Sequence, residues 1–401
     1  MHRYLTTDIP GIGGVIKETP DDFLVAEIPL YPAEGAGEHT FAEIEKRGIT
    51  TLEALRRIAR ALEIPERDIG YAGMKDAKGI TRQTFSIPRV APEQLLALEL
   101  PGIKVLSATR HRNKLKLGHL AGNRFRIRIR GVGPDSLARA GQVLYQLKER
   151  GVPNYFGQQR YGAQGNSHLI GRALLRQDYH EAIDTLIGNP AQVRDERWQS
   201  AIAAYQRGDP AESLLLFPGH CRTEREVLQR LVKRPDAWEK AFHAVHPRLK
   251  ALYLSAFQSS LFDRLLDKRL DAFDRVVTGD LAWKHDNGAC FLVEDAESEA
   301  ERARGFEISP TGPLFGCKMK LPSGSTLAME EELLQAEGLA PSDFDLAGGL
   351  RLEGERRPLR IPLGKPEIHL CEDYAELEFS LPKGAYATSV LRELMKNESN
   401  I

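Results

Sequence analysis

The sequence predicts an α+β protein in two parts, a strand-rich domain split by a mainly helical insert. Three observations predict it. Alternating apolar and polar residues mark strands near the start, a helical pattern fills the middle, and strand-like alternation returns before a last helix. An insertion into a domain whose halves meet in space accounts for that order, with halves at 1–153 and 355–401 and the insert at 154–354. At 401 residues the chain is long enough for two or three domains.

The elements follow in order. Val15-Ile16-Lys17 and Phe23–Glu27 read as short strands around a turn at Thr19-Pro20-Asp21. Thr50-x-x-Glu53 is a capping box. Behind it Leu52, Leu55, Ala59 and Leu62 form one apolar helical face, which Pro65 ends. The stretch Gly70–Gln83 then sets Asp76 between Gly73 and Gly79, residues that permit tight bends and close approach. A carboxylate so placed can be a nucleophile, a metal ligand or a turn former. Thr84–Ile87 reads as a strand.

Arg124–Arg130 is the clearest strand, with Phe125, Ile127 and Ile129 on one face and four arginines on the other. Between Pro101 and Gly133 there is no Asp or Glu, although the whole chain carries a net charge of −1. Arg124, Arg126 and Arg128 are therefore candidates for contacting an RNA phosphate backbone, weighed against a solvated sheet face. After Gly151–Gly157 the pattern turns helical, with a capping box at Thr223-x-x-Glu226 and an apolar face at Leu254, Phe257, Leu261 and Leu265. Ala375, Leu377, Phe379 and Leu381 alternate as a late strand before a helix near Thr388–Met395.

Composition narrows the function classes. Hydrophobic residues make up 42% and charged ones 28%, as in ordinary globular proteins. The four cysteines are scattered without a CxxC pair, which fits free thiols in a reducing cytoplasm. No signal-like h-region and no apolar run of membrane-spanning length is present. His180-Glu181 begins like a zincin motif but continues to Asp184, and His243 and His246 lack a third ligand. Gly312–Lys318 lacks a phosphate-loop ending, and Gly11–Gly14 leads toward a strand instead of a helix. No metal and no cofactor are expected.

The remaining motifs recur in an order. Ile16-Lys17-x-x-Pro20-x-Asp22-Phe23-x-Val25-x-Glu27 is followed by the Asp76 loop and Gly122-Asn123-Arg124-Phe125. Then come Val152–Gly162, Leu254–Ser259 and Leu381–Glu393. This series resembles the signature of the TruD family of tRNA pseudouridine synthases. The resemblance implies a split catalytic domain with a mixed, largely antiparallel sheet, a family-specific insert, and uridine 13 in the D-arm of tRNA as target. It implies no membrane or protein partner. Carried over by motif, Asp76 is the catalytic residue, and Phe23, Asn123 and Tyr386 contact the target nucleotide. At the last position Phe is as expected as Tyr, so a buried hydroxyl needs a partner. Lys17 is a candidate cation for Asp76, whereas Lys75 points the other way if the chain is extended.

Pseudouridine formation breaks the ribose C1′–N1 bond and joins C1′ to C5 of the same uracil, with no redox change. The carboxylate can attack the sugar, attack the base or remove a ribose proton, and all three routes fit these residues. The alternative reading is a non-catalytic tRNA-binding protein or RNA-folding chaperone. A metal-dependent nuclease lacks ligands. The insert also carries extra length around Ala191–Arg248, to which the sequence assigns no role.

Overall fold

The structure is a computed structural model describing residues 2–75, 77–346 and 350–397. The chain forms two compact units, one of Tyr4–Val152 with Ile361–Ile401 and one of Met1–Arg3 with Pro153–Arg360.

Up to Val152 the first unit runs β1 (Phe23–Pro29), β2 (His39–Arg47), α1 (Thr51–Ala61), β3 (Gly70–Tyr71) and β4 (Ile80–Pro88). It continues with α2 (Pro92–Leu96), β5 (Ile103–His111), β6 (Leu120–Arg130) and α3 (Ser136–Arg150). Val15–Lys17 forms a single bridge, Val15 to Arg130, in place of the expected strand. Lys17 at φ 63° turns the chain there. The Thr19–Asp21 turn is a short 3₁₀ helix over Pro20–Asp22.

Helix α1 is capped by Thr50, whose hydroxyl accepts from Glu53 N. The Glu53 carboxylate pairs with Arg57 at 2.8 Å. The buried stripe is Thr51, Ala54, Leu55, Ile58 and Ala59, so Leu52, expected inward, is exposed one position off the i, i+3, i+4 series.

The second unit is helical from α4 (Ser167–Leu175) through α5 (Tyr179–Ile187), α6 (Glu196–Gln206), α7 (Pro210–Leu216), α8 (Arg222–Lys233) and α9 (Trp238–Phe242) to the long α10 (Pro247–Arg269). Strands β7 (Leu281–Lys284) and β8 (Cys290–Leu292), helix α11 (Ala296–Arg304), strand β9 (Ile308–Leu314), helix α12 (Gly324–Ala336) and strand β10 (Glu355–Pro358) follow. The strands form one antiparallel sheet in the order β10-β9-β7-β8. Pairing of Glu355–Pro358 with β9 keeps residues past 354 in this unit.

Leu254, Phe257, Leu261 and Leu265 are buried along α10 as expected, and so are Ser259 and Asp263. Gly171 lets α4 press on α10, since a Cβ there would lie 2.1 Å from the Tyr253 carbonyl oxygen. Helix α8 begins at Arg222 with Cys221 at the cap position, so Thr223 falls inside the first turn and the expected capping box does not form.

The first unit closes with β11 (Gly364–Leu370), β12 (Tyr374–Pro382) and α13 (Ala387–Met395). Its eight-stranded sheet runs β11-β12-β6-β1-β4-β2-β5, with β3 beside β4. The sheet is mixed and largely antiparallel, with β1 and β4 parallel. Strand alternation puts Phe23, Val25, Glu27, Asn123, Phe125 and Ile127 on one face, in register with Thr81, Gln83 and Lys46.

Two cores share that face. One lies under α3 and α13 and takes in Phe23, Val25, Phe125 and Ile127. The other lies under α1 and α2 and takes in Ile44, Phe85 and Ile87. Polar residues of the central strands are left between them.

Candidate active site

Between the two cores, β1 and β6 set Glu27 directly opposite Asn123. The Lys75 ammonium donates to Asn123 Oδ1 and lies 3.6 Å from Glu27 Oε2, with both charged side chains buried. Lys75 therefore reaches the face that carries Glu27 and Asn123. Burial pushes the Glu27 carboxyl above the usual carboxylate range, and the Lys75 charge pulls it back.

The loop is anchored on both sides of position 76. Before it, Lys75 N donates to Thr51 Oγ1 at 2.8 Å, and that hydroxyl donates to Gln83 Oε1 at 2.9 Å. The buried Lys46 donates from Nζ to the Ile49 carbonyl at 2.7 Å and to the Lys75 carbonyl at 3.4 Å. After it, Gly79 has φ 140°, and a Cβ there would lie 2.4 Å from the Phe23 carbonyl oxygen. Only glycine lets the chain pass β1 so closely. Asp76 itself lies outside the described residues.

Phe23 is buried on the same face. Its ring meets Phe125 edge-on at 6.4 Å, and the Lys17 ammonium sits 4.4 Å from its centroid. Tyr386 is half-buried at the cap position of α13, just past the β12 end where Leu381 pairs with Asn123. On this face Glu27 Oε2, apart from its ion pair with Lys75, and Thr81 Oγ1 are buried without a hydrogen-bond partner among the described residues.

The sheet brings Glu27, Lys75 and Asn123 into contact and puts Lys17 on Phe23. Arg124, Arg126 and Arg128 are not gathered with them, because alternation turns these side chains to the opposite face. There Arg126 pairs with Glu378 at 2.9 Å and Arg128 with Glu376 at 3.4 Å.

Sequence reasoning missed Lys46 and left Glu27 without a role. Glu27 carried a usable signal, since it falls two positions beyond Val25 and four beyond Phe23 on one strand face. Lys46 carried none, because its neighbours are set by pairing between β2 and β4. Among the described residues no group of three or more His, Cys, Asp or Glu could hold a metal ion. No described helix is long and apolar enough to cross a membrane.

The sequence model of one family, described as tRNA pseudouridine synthase D (TruD), matches residues 1–394. The tRNA pseudouridine synthase D of Geotalea daltonii is 68% identical over 397 residues, covering 99% of this chain and 100% of that protein. That of Geobacter metallireducens is 67% identical, covering 98% of each. A crystal structure from Methanosarcina mazei described under the same family name superposes with a TM-score of 0.88 at 28% identity, covering 100% of this chain and 98% of that one.

Proposed function

The chain belongs to the TruD family of tRNA pseudouridine synthases, isomerases that act on tRNA, and from that premise we propose that Asp76 is its catalytic carboxylate and uridine 13 of the D-arm its target. Its place of action is then the cytoplasm.

The observation that carries the assignment is the anchoring of the loop around position 76. Thr51, Gln83 and Lys46 fix its first half, and Gly79 fixes its second against β1. Covalent and proton-transfer catalysis gain from a constrained site, and the described residues on either side of position 76 are held in this way.

Asn123 reads the base. Its Oδ1 accepts from Lys75, which leaves the Nδ2 donors for a uracil carbonyl. As the C1′–N1 bond breaks, the uracil gathers negative charge, and the amide and the Lys75 ammonium stabilise it. Once C1′ has joined C5, the C5 proton leaves and N1 gains one, so the reaction is balanced without a cofactor. Phe23 and Tyr386 offer rings to an extruded uridine, stacking worth ~1–3 kcal/mol against an unstacking cost of a few kcal/mol.

The test is Asp76→Asn with chemical mapping of pseudouridine in tRNA. Binding rests on phosphates and stacking and should persist, while turnover falls by roughly 10⁴-fold or more. Near-normal conversion by the folded variant overturns the assignment. Wild-type protein that binds tRNA without converting any uridine points instead to an RNA-folding chaperone.

A further inference from the structure

The second unit holds a feature that the isomerisation does not use. Where α8 ends and α9 begins, a hollow of about 320 Å³ is lined by Arg230, Lys233, Arg234 and Lys240 over Ala237 and Ala241. All four cationic side chains are exposed, and none forms an ion pair with a described residue. The two acids of this stretch, Asp236 and Glu239, do not line it. From Arg230 to Lys250 there are six Lys and Arg against those two acids, in a chain whose net charge is −1.

The cluster is shaped as well as charged. Arg230 donates from Nη1 to the Lys240 carbonyl at 2.9 Å, which ties the end of α8 to α9 and holds the rim. Lys250 lies behind it, with its ammonium 5.6 Å from the Phe242 ring. Burial, with the Arg230 charge nearby, pushes the Lys250 ammonium below the usual lysine range. Cations at the last turn of α8 complement its dipole. That accounts for Arg230 and Lys233, but not for the convergence of Arg234 and Lys240 on one concavity.

We propose that this hollow binds the sugar–phosphate backbone of the tRNA substrate, as a second contact on a unit other than the one bearing the candidate active site. The proposal rests on tRNA being the substrate and gives a role to the extra length around Ala191–Arg248. Several converging cations without bound acids suit phosphates spaced along a strand, and their lack of base-reading groups makes the contact sequence-independent.

The test compares wild type with Lys233→Gln/Lys240→Gln, with that pair combined with Arg230→Gln/Arg234→Gln, and with Lys233→Arg/Lys240→Arg. Affinity for tRNA is measured across a KCl series. The double Gln variant leaves the Arg230 tie intact, so it stays informative if the quadruple variant misfolds. Each lost phosphate contact should flatten the slope of log affinity against log salt by about one, and the quadruple variant should bind at least about tenfold more weakly at moderate salt. The Arg variant should behave as wild type.

Inorganic phosphate, titrated by calorimetry, separates the two sources of the anion. It should bind weakly. Unchanged tRNA affinity and slope in the folded Gln variants overturn the proposal, as does tight phosphate binding without any effect on tRNA. Pseudouridine formation by wild type is scored separately, so failure of the isomerase reading leaves a different mark from failure of this site.

Discussion

Two runs of positive charge in this protein have opposite fates. On β6 the arginines stand in an acid-free stretch of sequence, yet the neighbouring strand supplies Glu376 and Glu378, and Asp22 meets Arg130 at 2.7 Å. At the α8–α9 hollow the acids Asp236 and Glu239 are close in sequence, yet four cations converge without them. Register and helix packing decide which charges are satisfied. Sequence proximity does not. A cation's availability to RNA is therefore a property of its partners in space, and the partners should be measurable.

The largest effect should come where pairing is most complete. Arg356 holds both Glu330 oxygens, at 2.9 and 2.7 Å, and also donates to Thr311, with both charged side chains buried. Arg356→Met should destabilise its unit by about 3–5 kcal/mol, because an uncompensated carboxylate is left inside. Adding Glu330→Leu should recover much of the loss. All three tryptophans, Trp198, Trp238 and Trp283, lie in this unit, so denaturant unfolding followed by their fluorescence reads it alone. A cost near zero for Arg356→Met would break the rule that partnership governs these charges.

Asp263 sharpens the same rule from the acid side. It is buried, accepts from Phe156 N at 3.0 Å and Tyr161 OH at 2.5 Å, and lies 3.5 Å from His2 Nε2. Its donors are mostly neutral, and burial pushes its carboxyl up to about 6. A folded value raised above the unfolded one contributes stability that is present below the unfolded value and lost as pH rises through about 6. Relative to Asp263→Asn, wild type should lose about 2–2.5 kcal/mol between pH 4 and pH 8, since part of the 1.36 kcal/mol per unit is already lost by pH 4. The tryptophan signal tracks this difference, and a flat difference would show that its neutral donors match a full ion pair.

Much of the fold could be read from local pattern. β1, β4, β6, β12, α1, α10 and α13 each announced themselves by alternation, a cap or a 3.6 period, and the ordered motifs pointed to the family. Strands β2 and β5 were not read, because β2 carries buried Lys46 and Thr40 on the inward face that an apolar pattern would mark. The candidate site was legible in part for the same reason. Phe23 and Asn123 sit in recognisable motifs, whereas the place of Lys75 beside Asn123 depends on a loop anchored by Thr51 and Gln83, residues set by the fold. The arginine face was read correctly as a face. Its partners came from residues some 250 positions away, which no window of sequence contains.

The smallest effect is expected on that face, and it tests the opening contrast most directly. Arg126→Gln/Arg128→Gln removes two half-exposed members of cross-strand pairs, each worth at most about 1 kcal/mol in a solvated setting. Stability should barely move. Any phosphate approaching wild type must displace Glu378 and Glu376, so these arginines release few counterions on binding. The slope of tRNA affinity against salt should then change less for this pair than for Lys233→Gln/Lys240→Gln, although both remove two positive charges. The measurement is one salt series run on both folded double variants. Equal slopes would mean that net charge alone steers the RNA. A larger change for the β6 pair would mean that tRNA exchanges places with the glutamates, making the arginine strand the principal backbone contact.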